Sequence, residues 1–368
     1  MKIAFWHFYT FRFMRGIETL ILGLGNALVQ KGVEVSIISA SPKNVPLIPP
    51  DPKIKIYSYP CGRYFSHAAI VPFYLYHFAR HRYDFVFTFF ADFGEASTWK
   101  ILRRFQDLPL ALYLCYAYST VPHRYESFLK LNWHREAKHI FADSAWIAEE
   151  ASKLFVRPVT LLPFGVDAHR FRPDTNLRRQ MRQRYGYSDN EVVLLNVSAL
   201  EIKKGCWRGI DAFARLHSRH PGLRYFLLGR GEDEARLRRM VNQLGLGKTV
   251  IFGGETAELE KFYNMADIFM MLPDAESNSI ACHEAMSCGL PVVVSQTIGF
   301  SENIPKEAGV FVPPDDPHKI DQALELLIGD PNQRRSLGKA GRCHILNHGS
   351  WDQSVAALLA QLYPKNAV

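Results

Sequence analysis

The sequence predicts an α/β protein built as two doubly wound, Rossmann-like domains of parallel sheet and covering helices. Three observations predict it. Short apolar runs alternate with stretches of helical spacing along the whole chain. The alternation is interrupted once, by the Pro/Gly-punctuated segment Pro163-Phe164-Gly165-Val166-Asp167 and then Phe171-Arg172-Pro173-Asp174. At 368 residues, the chain is long enough for two cores of ordinary size. The expected division is therefore a first domain over 1–168, completed by a C-terminal helix over 350–364, and a second domain over 169–349.

Lys2 to Phe8 is an apolar run suited to a buried parallel strand. Gly16 to Lys31 has Ile17, Leu20, Ile21, Leu24 and Leu28 on one helical face, Gly32 ends it, and Val33 to Ser39 reads as the second strand. Such a βαβ unit puts its first loop at the carboxyl edge of the sheet. Residues 41–53 are Pro-rich and read as a loop, with a short strand at Ile54 to Tyr57. Phe85 to Phe89, Leu110 to Leu114, His139 to Ala142 and Val159 to Leu162 are further strands, and Ser144 caps the helix that runs to Leu154. Three segments mix aromatic and basic residues: 11–15, 63–82 and 99–105. Turned to one face they would dock at a lipid headgroup interface; turned inward, their aromatics would be core.

The second run begins with a strand at Val192 to Val197. Lys203-Lys204-Gly205 follows, then a helix over Cys206 to Leu216 and a strand over Arg224 to Leu228. Gly229-Arg230-Gly231-Glu232 opens the next helix but lacks a full G-x-G-x-x-G, so it is no dinucleotide fingerprint. Val250 to Phe252, a helix over Glu258 to Met265 and a strand over Ile268 to Leu272 lead to the stretch that carries the chemistry.

That stretch is Asp274 to Val294, DAESNSIACHEAMSCGLPVVV. It opens in a polar turn, runs as a short helix, breaks at Gly289 and Pro291, and enters an apolar strand. Glu276 and Glu284 are eight residues apart, a little over two helical turns. With Glu276 in the turn and Glu284 in the helix, both face one cleft. Ser277, Asn278, Ser279 and Ile280 lie where a helix N-terminus exposes amide groups, which favours an anion. The stretch thus offers a phosphate site flanked by two carboxylates able to accept hydrogen bonds from sugar hydroxyls. Two solvated surface glutamates are the plainer reading of the same pair.

The order E-x7-E, EAMSCGLPVVV and then Gly309-Val310-Phe311-Val312-Pro313-Pro314-Asp315 resembles the C-terminal half of the retaining GT-B glycosyltransferases of family 4. The resemblance runs from about Lys2 to Tyr363. It implies two Rossmann-like domains facing across a cleft, with transfer of a sugar from a UDP- or GDP-linked donor to an acceptor hydroxyl with retention and without a metal. It puts Glu276 on the donor sugar, Glu284 on the ribose hydroxyls and Lys204 on the diphosphate. Gly254 falls in its base-binding region. Gly16-Ile17-Glu18 resembles the family's Gly-Gly-x-Glu loop over the diphosphate, with Arg15 in place of the first Gly. The family's sugar-contacting His falls near Tyr116, with His123 further on. Family members usually carry Gly-Arg-Leu before Lys-Gly; here Ala199 stands in place of that Arg, and Lys203 or Arg15 are the cations that would supply its charge.

Composition bounds the rest. A hydrophobic content of 48% with 22% charged residues describes a globular protein, and the longest apolar runs fall short of the roughly 20 residues that span a bilayer. MKIAFWHFYT reads as a first strand, not a signal peptide. Six scattered cysteines form neither C-x-x-C nor a zinc pattern and read as reduced thiols of a cytoplasmic protein. The resemblance implies no metal and no cofactor beyond the donor, and no Asp-x-Asp metal motif appears. The net charge of +8 is uneven. Residues 1–170 hold 20 Lys and Arg against 13 Asp and Glu, whereas 171–368 hold 24 against 23. A basic first half attracts an anionic membrane surface at its inner face, or an anionic, lipid-linked or saccharide acceptor. Nucleic acid is not expected, since no recognition motif accompanies the charge. A nucleotide-sugar epimerase of the same fold and a non-catalytic nucleotide-sugar-binding subunit remain as alternatives.

Overall fold

A computed structural model describes residues 1–8, 10, 16–40, 49–59, 70–89, 93–105, 107–130 and 132–363. The chain divides into two compact units: Met1–Gly165 together with the segment from Trp351, and Val166–Ser350.

Unit 1 alternates strand and helix: β1 (Lys2–Trp6), α1 (Gly16–Gln30), β2 (Glu34–Ala40), β3 (Lys55–Tyr59), α2 (Val71–Arg80), β4 (Phe85–Thr88) and α3 (Phe93–Leu102). It continues with β5 (Leu110–Leu114), α4 (Pro122–Lys130), α5 (Trp133–Glu136), β6 (His139–Ala142), α6 (Ala145–Phe155) and β7 (Thr160–Leu161). The seven strands are ordered β3-β2-β1-β4-β5-β6-β7, and every pairing is parallel. Strands buried on both faces need continuous apolar runs, and β4 and β5 are buried at every position. Ser144 caps α6 as expected, accepting from the amide of Ile147 at 3.4 Å. The order turns back between β1 and β4, which makes the carboxyl ends of those two strands the crevice of this unit.

Unit 2 opens with α7 (Thr175–Tyr185) and runs β8 (Val192–Val197), α8 (Cys206–His217), β9 (Leu223–Leu228), α9 (Glu234–Gln243), β10 (Val250–Gly254), α10 (Leu259–Met265) and β11 (Ile268–Met271). It closes with α11 (Ile280–Ser287), β12 (Val292–Ser295), α12 (Ile298–Asn303), β13 (Gly309–Val312), α13 (Pro317–Gly329) and α14 (Pro331–His348). Its sheet is again parallel, ordered β10-β9-β8-β11-β12-β13, so its crevice lies between β8 and β11. Asp267 anchors the opposite edge. Its carboxylate accepts from Arg178 at 2.7 Å, from Arg182 at 2.5 Å and from the amide of Val193 at 2.8 Å, which fixes α7 to the starts of β8 and β11.

The last helix, α15 (Trp351–Leu362), belongs to unit 1. It packs on α1, with the Trp351 ring lying where a Cβ on Gly23 would be, 2.2 Å from that position. Lys31 pairs with Asp352 at 2.8 Å, and Ser354 Oγ donates to the Pro163 carbonyl at 2.8 Å.

The aromatic-basic segments split between core and surface. Tyr74, His77, Phe78 and Trp99 are buried, whereas Phe73, Tyr76, Ile101 and Phe105 are exposed beside Arg80, Lys100, Arg103 and Arg104. Residues 11–15 and the start of the 63–82 segment lie outside the described residues. The described cysteines, Cys115, Cys206, Cys282, Cys288 and Cys343, are free thiols. Among the described residues no helix is long and apolar enough to cross a membrane.

Because Gly23 leaves room for the indole, Gly23→Val should force Trp351 out of its seat. Overpacking of this kind costs about 1–3 kcal/mol, so the melting temperature should fall by several degrees. An unchanged melting temperature would mean that α15 does not hold unit 1 together.

Candidate functional site in the second unit

The site grows from two strand ends. β8 ends in a loop that makes a 3₁₀ turn at Ile202–Lys204 and enters α8 through Gly205, whose φ is +71°. A Cβ there would lie 1.6 Å from the Leu272 carbonyl oxygen, so only glycine lets α8 start against the end of β11. That contact places the Lys204 side chain beside the loop leaving β11. The amide of Asp274 donates to the Lys203 carbonyl at 3.0 Å and closes the junction.

β11 delivers its buried run Ile268–Met271 to the same edge. The loop over 272–279 follows, and Ser279 caps α11 by accepting from the amide of Cys282 at 3.3 Å. The amides of Ile280 and Ala281 have no intrahelical carbonyl to bind, which leaves an anion-favouring end beside Ser277 and Asn278. The loop is backed by α12: Asn303 Nδ2 donates to the Ser277 carbonyl at 3.1 Å, and a Cβ on Gly299 would stand 2.0 Å from that same oxygen.

Glu276 and Glu284 have different surroundings. Glu276 Oε2 accepts from Lys204 Nζ at 2.7 Å, and the glutamate side chain is 12% exposed. Glu284 is buried in α11 and its Oε2 accepts from the Tyr263 hydroxyl at 2.9 Å. Burial drives the Glu284 carboxyl up to about 7, only partly offset by the tyrosine hydrogen bond, and the same pairing raises the Tyr263 phenol well above its usual value, again mainly through burial. Solvated surface glutamates are therefore not what this pair is.

Gly254 ends β10 at φ +68°, and its carbonyl accepts from the amide of Gly229 at 2.8 Å. Lys203, a candidate for the charge missing at Ala199, pairs with Glu201 at 2.8 Å. The remaining expected residues belong to unit 1. Gly16 is the exposed first residue of α1, Tyr116 is exposed on the turn after β5, and His123 is exposed in the first turn of α4. Tyr113 and Tyr125 are the core tyrosines here, and the Tyr125 hydroxyl donates to the Tyr116 carbonyl at 2.6 Å. Arg15 lies outside the described residues. Among the described residues no group of His, Cys, Asp and Glu could hold a metal ion.

Two contributors were not legible in the sequence. Tyr263 reads there as one more apolar position of α10. Arg208, on the first turn of α8, is buried; its guanidinium reaches Asp274 at 2.7 Å, Asp315 at 2.9 Å and the Leu272 carbonyl at 3.2 Å. It staples the loops after β11 and β13 to α8. The one available signal was an arginine in the first turn of α8, with an aspartate in each of two later loops.

Comparisons with known proteins bear on this geometry. Residues 178–344 match the sequence family described as glycosyl transferases group 1, and residues 14–170 match glycosyltransferase family 4. The chain is 35% identical over 211 residues to the GDP-mannose-dependent alpha-(1-6)-phosphatidylinositol monomannoside mannosyltransferase of Mycolicibacterium smegmatis, covering 55% of each chain. It is 30% identical over 199 residues to a GDP-mannose-dependent monoacylated alpha-(1-6)-phosphatidylinositol monomannoside mannosyltransferase of Corynebacterium glutamicum, covering 52% of each. It thus spans about half the length of the curated relatives it matches. Sucrose-phosphate synthase from Thermosynechococcus elongatus superposes with a TM-score of 0.81 at 22% identity, over 99% of this chain and 98% of that one. HepE from Anabaena, in complex with UDP and glucose, does so with 0.81 at 17% identity, over 98% and 99%. These structural likenesses show the fold.

A buried glutamate makes stability depend on pH. Folding raises the Glu284 pKa from 4.5 to about 7. The unfolded chain therefore ionises first, and stability present at pH 4.5 and below is lost as pH rises through 7, by roughly 3 kcal/mol in all. Glu284→Gln should flatten this part of the stability–pH curve between pH 5 and 7.5, as read from urea midpoints. A curve of wild-type slope in that variant would show that Glu284 is ionised without cost.

Proposed function

Because the chain belongs to the GT-B glycosyltransferases of family 4, we propose that it transfers a sugar from a nucleoside-diphosphate donor to an acceptor hydroxyl, with retention and without a metal ion. The observation that carries the proposal is the Lys204–Glu276 ion pair beside the N-terminus of α11, with Glu284 buried eight residues on. We take GDP-mannose as the donor and a lipid-linked or saccharide hydroxyl as the acceptor, following the relatives' names.

In this reading the bond between the sugar's anomeric carbon and the β-phosphate oxygen breaks, and its electron pair leaves on the nucleoside diphosphate. Lys204 and the amides of Ile280 and Ala281 meet that growing charge, which lowers the barrier because they are already in place. The acceptor oxygen forms the new bond to the anomeric carbon on the face that the diphosphate leaves, and its proton passes to the departing diphosphate oxygen. Glu276 accepts hydrogen bonds from donor-sugar hydroxyls, and Glu284 accepts them from the ribose. When the diphosphate binds, Lys204 is shared between it and Glu276, so the carboxylate stays charge-balanced throughout. The basic excess of the first 170 residues, with Arg103, Arg104 and Phe105 exposed together, supports docking at an anionic inner membrane face.

Ala199 favours a second reading, a nucleotide-sugar-binding subunit without turnover. The two separate by experiment. With GDP in excess at about 100 times its dissociation constant, unfolding should be opposed by roughly 2.7 kcal/mol. GDP release from GDP-mannose in the presence of a phosphatidylinositol mannoside acceptor should then be detectable, unaffected by EDTA, and at least about 100-fold slower in Glu276→Ala. Binding without any GDP release would favour the subunit. Turnover that survives in Glu276→Ala would remove the catalytic assignment, and consumption of GDP-mannose with no acceptor to give an isomeric nucleotide sugar would mean epimerisation.

A further inference from the structure

Six loops leave the carboxyl edge of the second unit's sheet: 198–205, 229–233, 255–258, 272–279, 296–297 and 313–316. Their sequences hold nine carboxylates and three basic side chains, Lys203, Lys204 and Arg230. A diphosphate arriving at such an acidic edge is repelled unless enough cations are positioned to meet it. Lys203 is taken by Glu201 at 2.8 Å and Lys204 by Glu276 at 2.7 Å. Arg208, just inside α8, is taken by Asp274 and Asp315. Arg230 differs: its side chain is exposed and makes no ion pair or hydrogen bond among the described residues.

Its backbone is fixed firmly all the same. Gly229, at φ +128°, lies so close to the β8 loop that a Cβ would stand 2.0 Å from the Ser198 carbonyl oxygen. A Cβ on Gly231 would stand 2.3 Å from that of Leu200. The amide of Leu200 donates to the Arg230 carbonyl at 3.0 Å, and Asp233 accepts from the amide of Ile202 at 2.8 Å. On the other side the amide of Gly229 binds the Gly254 carbonyl at 2.8 Å. Two glycines thus press Arg230 against the turn that carries Lys204 and against Ala199, while the same short loop touches the end of β10. An arginine held rigidly at the backbone and free at the guanidinium is suited to a bidentate grip on phosphate oxygens.

We propose that Arg230 is the second diphosphate-binding cation of this site, reaching from β9 to supply the charge that Ala199 does not. The proposal rests on the donor reading above and assigns the phosphate contact to a residue other than Lys203 or Arg15. Lys204 stays bound to Glu276 in the resting site, and Arg230 meets the incoming charge first.

The test is calorimetric titration of the full chain with GDP and, separately, with guanosine, which lacks phosphate. Arg230→Met should weaken GDP binding by at least tenfold, leave guanosine binding unchanged and lessen the salt dependence of GDP affinity. Arg230→Lys should bind GDP with an affinity between those of the wild type and Arg230→Met, since the charge remains but the bidentate fork is lost. Because the side chain is exposed, the melting temperature of either variant without ligand should match the wild type. GDP affinity at the wild-type level in Arg230→Met overturns the proposal while leaving the donor reading intact, and so does an equal loss for guanosine. A folded wild-type chain that binds none of GDP, UDP and ADP instead removes the donor reading on which the proposal stands.

Discussion

The contact between Gly205 and the Leu272 carbonyl is the constraint on which the second unit's chemistry depends. A parallel sheet whose order reverses leaves a crevice between two strands, here β8 and β11, but a crevice is not a site until side chains from both strands meet in it. The missing Cβ lets α8 begin almost on top of β11. Lys204, the residue before that glycine, is thereby delivered to Glu276, four residues after that carbonyl. Any larger residue at 205 would separate the two strand ends and with them the ion pair. The left-handed backbone at 205 adds a second reason for glycine, since both the angle and the space exclude a side chain.

Charge at this edge is arranged in pairs whose buried member differs: the carboxylate at Lys203–Glu201 and Lys204–Glu276, the cation at Arg208. Arg208 is buried while its partners Asp274 and Asp315 are largely exposed. Burying a charge is costly unless it is met by counter-charge and hydrogen bonds, and Arg208 has two carboxylates and a carbonyl to offset that cost. The result is a loop held on both sides of Glu276, before it by Arg208 of α8 and after it by Asn303 and Gly299 of α12. A donor sugar placed against Glu276 therefore meets a preorganised acceptor, which is the condition under which fixed dipoles and charges lower a barrier.

The strands, the cap at Ser144, the helix start at 277–280 and the spacing of the two glutamates were legible in the sequence because each is a local property. Alternation of apolar runs with helical periods reports burial directly, and the Gly289–Pro291 break marks where α11 must stop. What was not legible is what folding brings together from far apart in the chain. Glu284 and Tyr263 are 21 residues apart and Arg208 and Asp315 are 107 apart, and no period or motif links either pair. The loop over 229–233 illustrates the limit from the other side. Read as a sequence it was a failed dinucleotide motif that opens a helix; in the fold its glycines serve close approach to the β8 loop, and α9 begins only at Glu234. The substitution at Ala199 was visible at once, yet its consequence depends on which side chains neighbour it across the sheet.

On the proposed reading, Glu284 ties donor binding to ionisation. In the empty site its carboxyl is buried with one tyrosine hydroxyl as partner and is held near neutral pH, so the resting population is divided between acid and carboxylate. Ribose hydroxyls are donors, and a carboxylate accepts from two of them better than a carboxylic acid does. On that reading, a nucleoside whose ribose meets Glu284 favours the ionised form and draws its pKa down again. On the proposed reading, part of the affinity for the donor is consequently used to ionise a group that burial holds partly protonated, and that part shrinks as pH rises through 7. Donor binding at this glutamate should strengthen with pH over the same interval in which the empty protein loses stability. One buried carboxyl therefore accounts for both trends, and both follow from its place on the second turn of α11 against Tyr263.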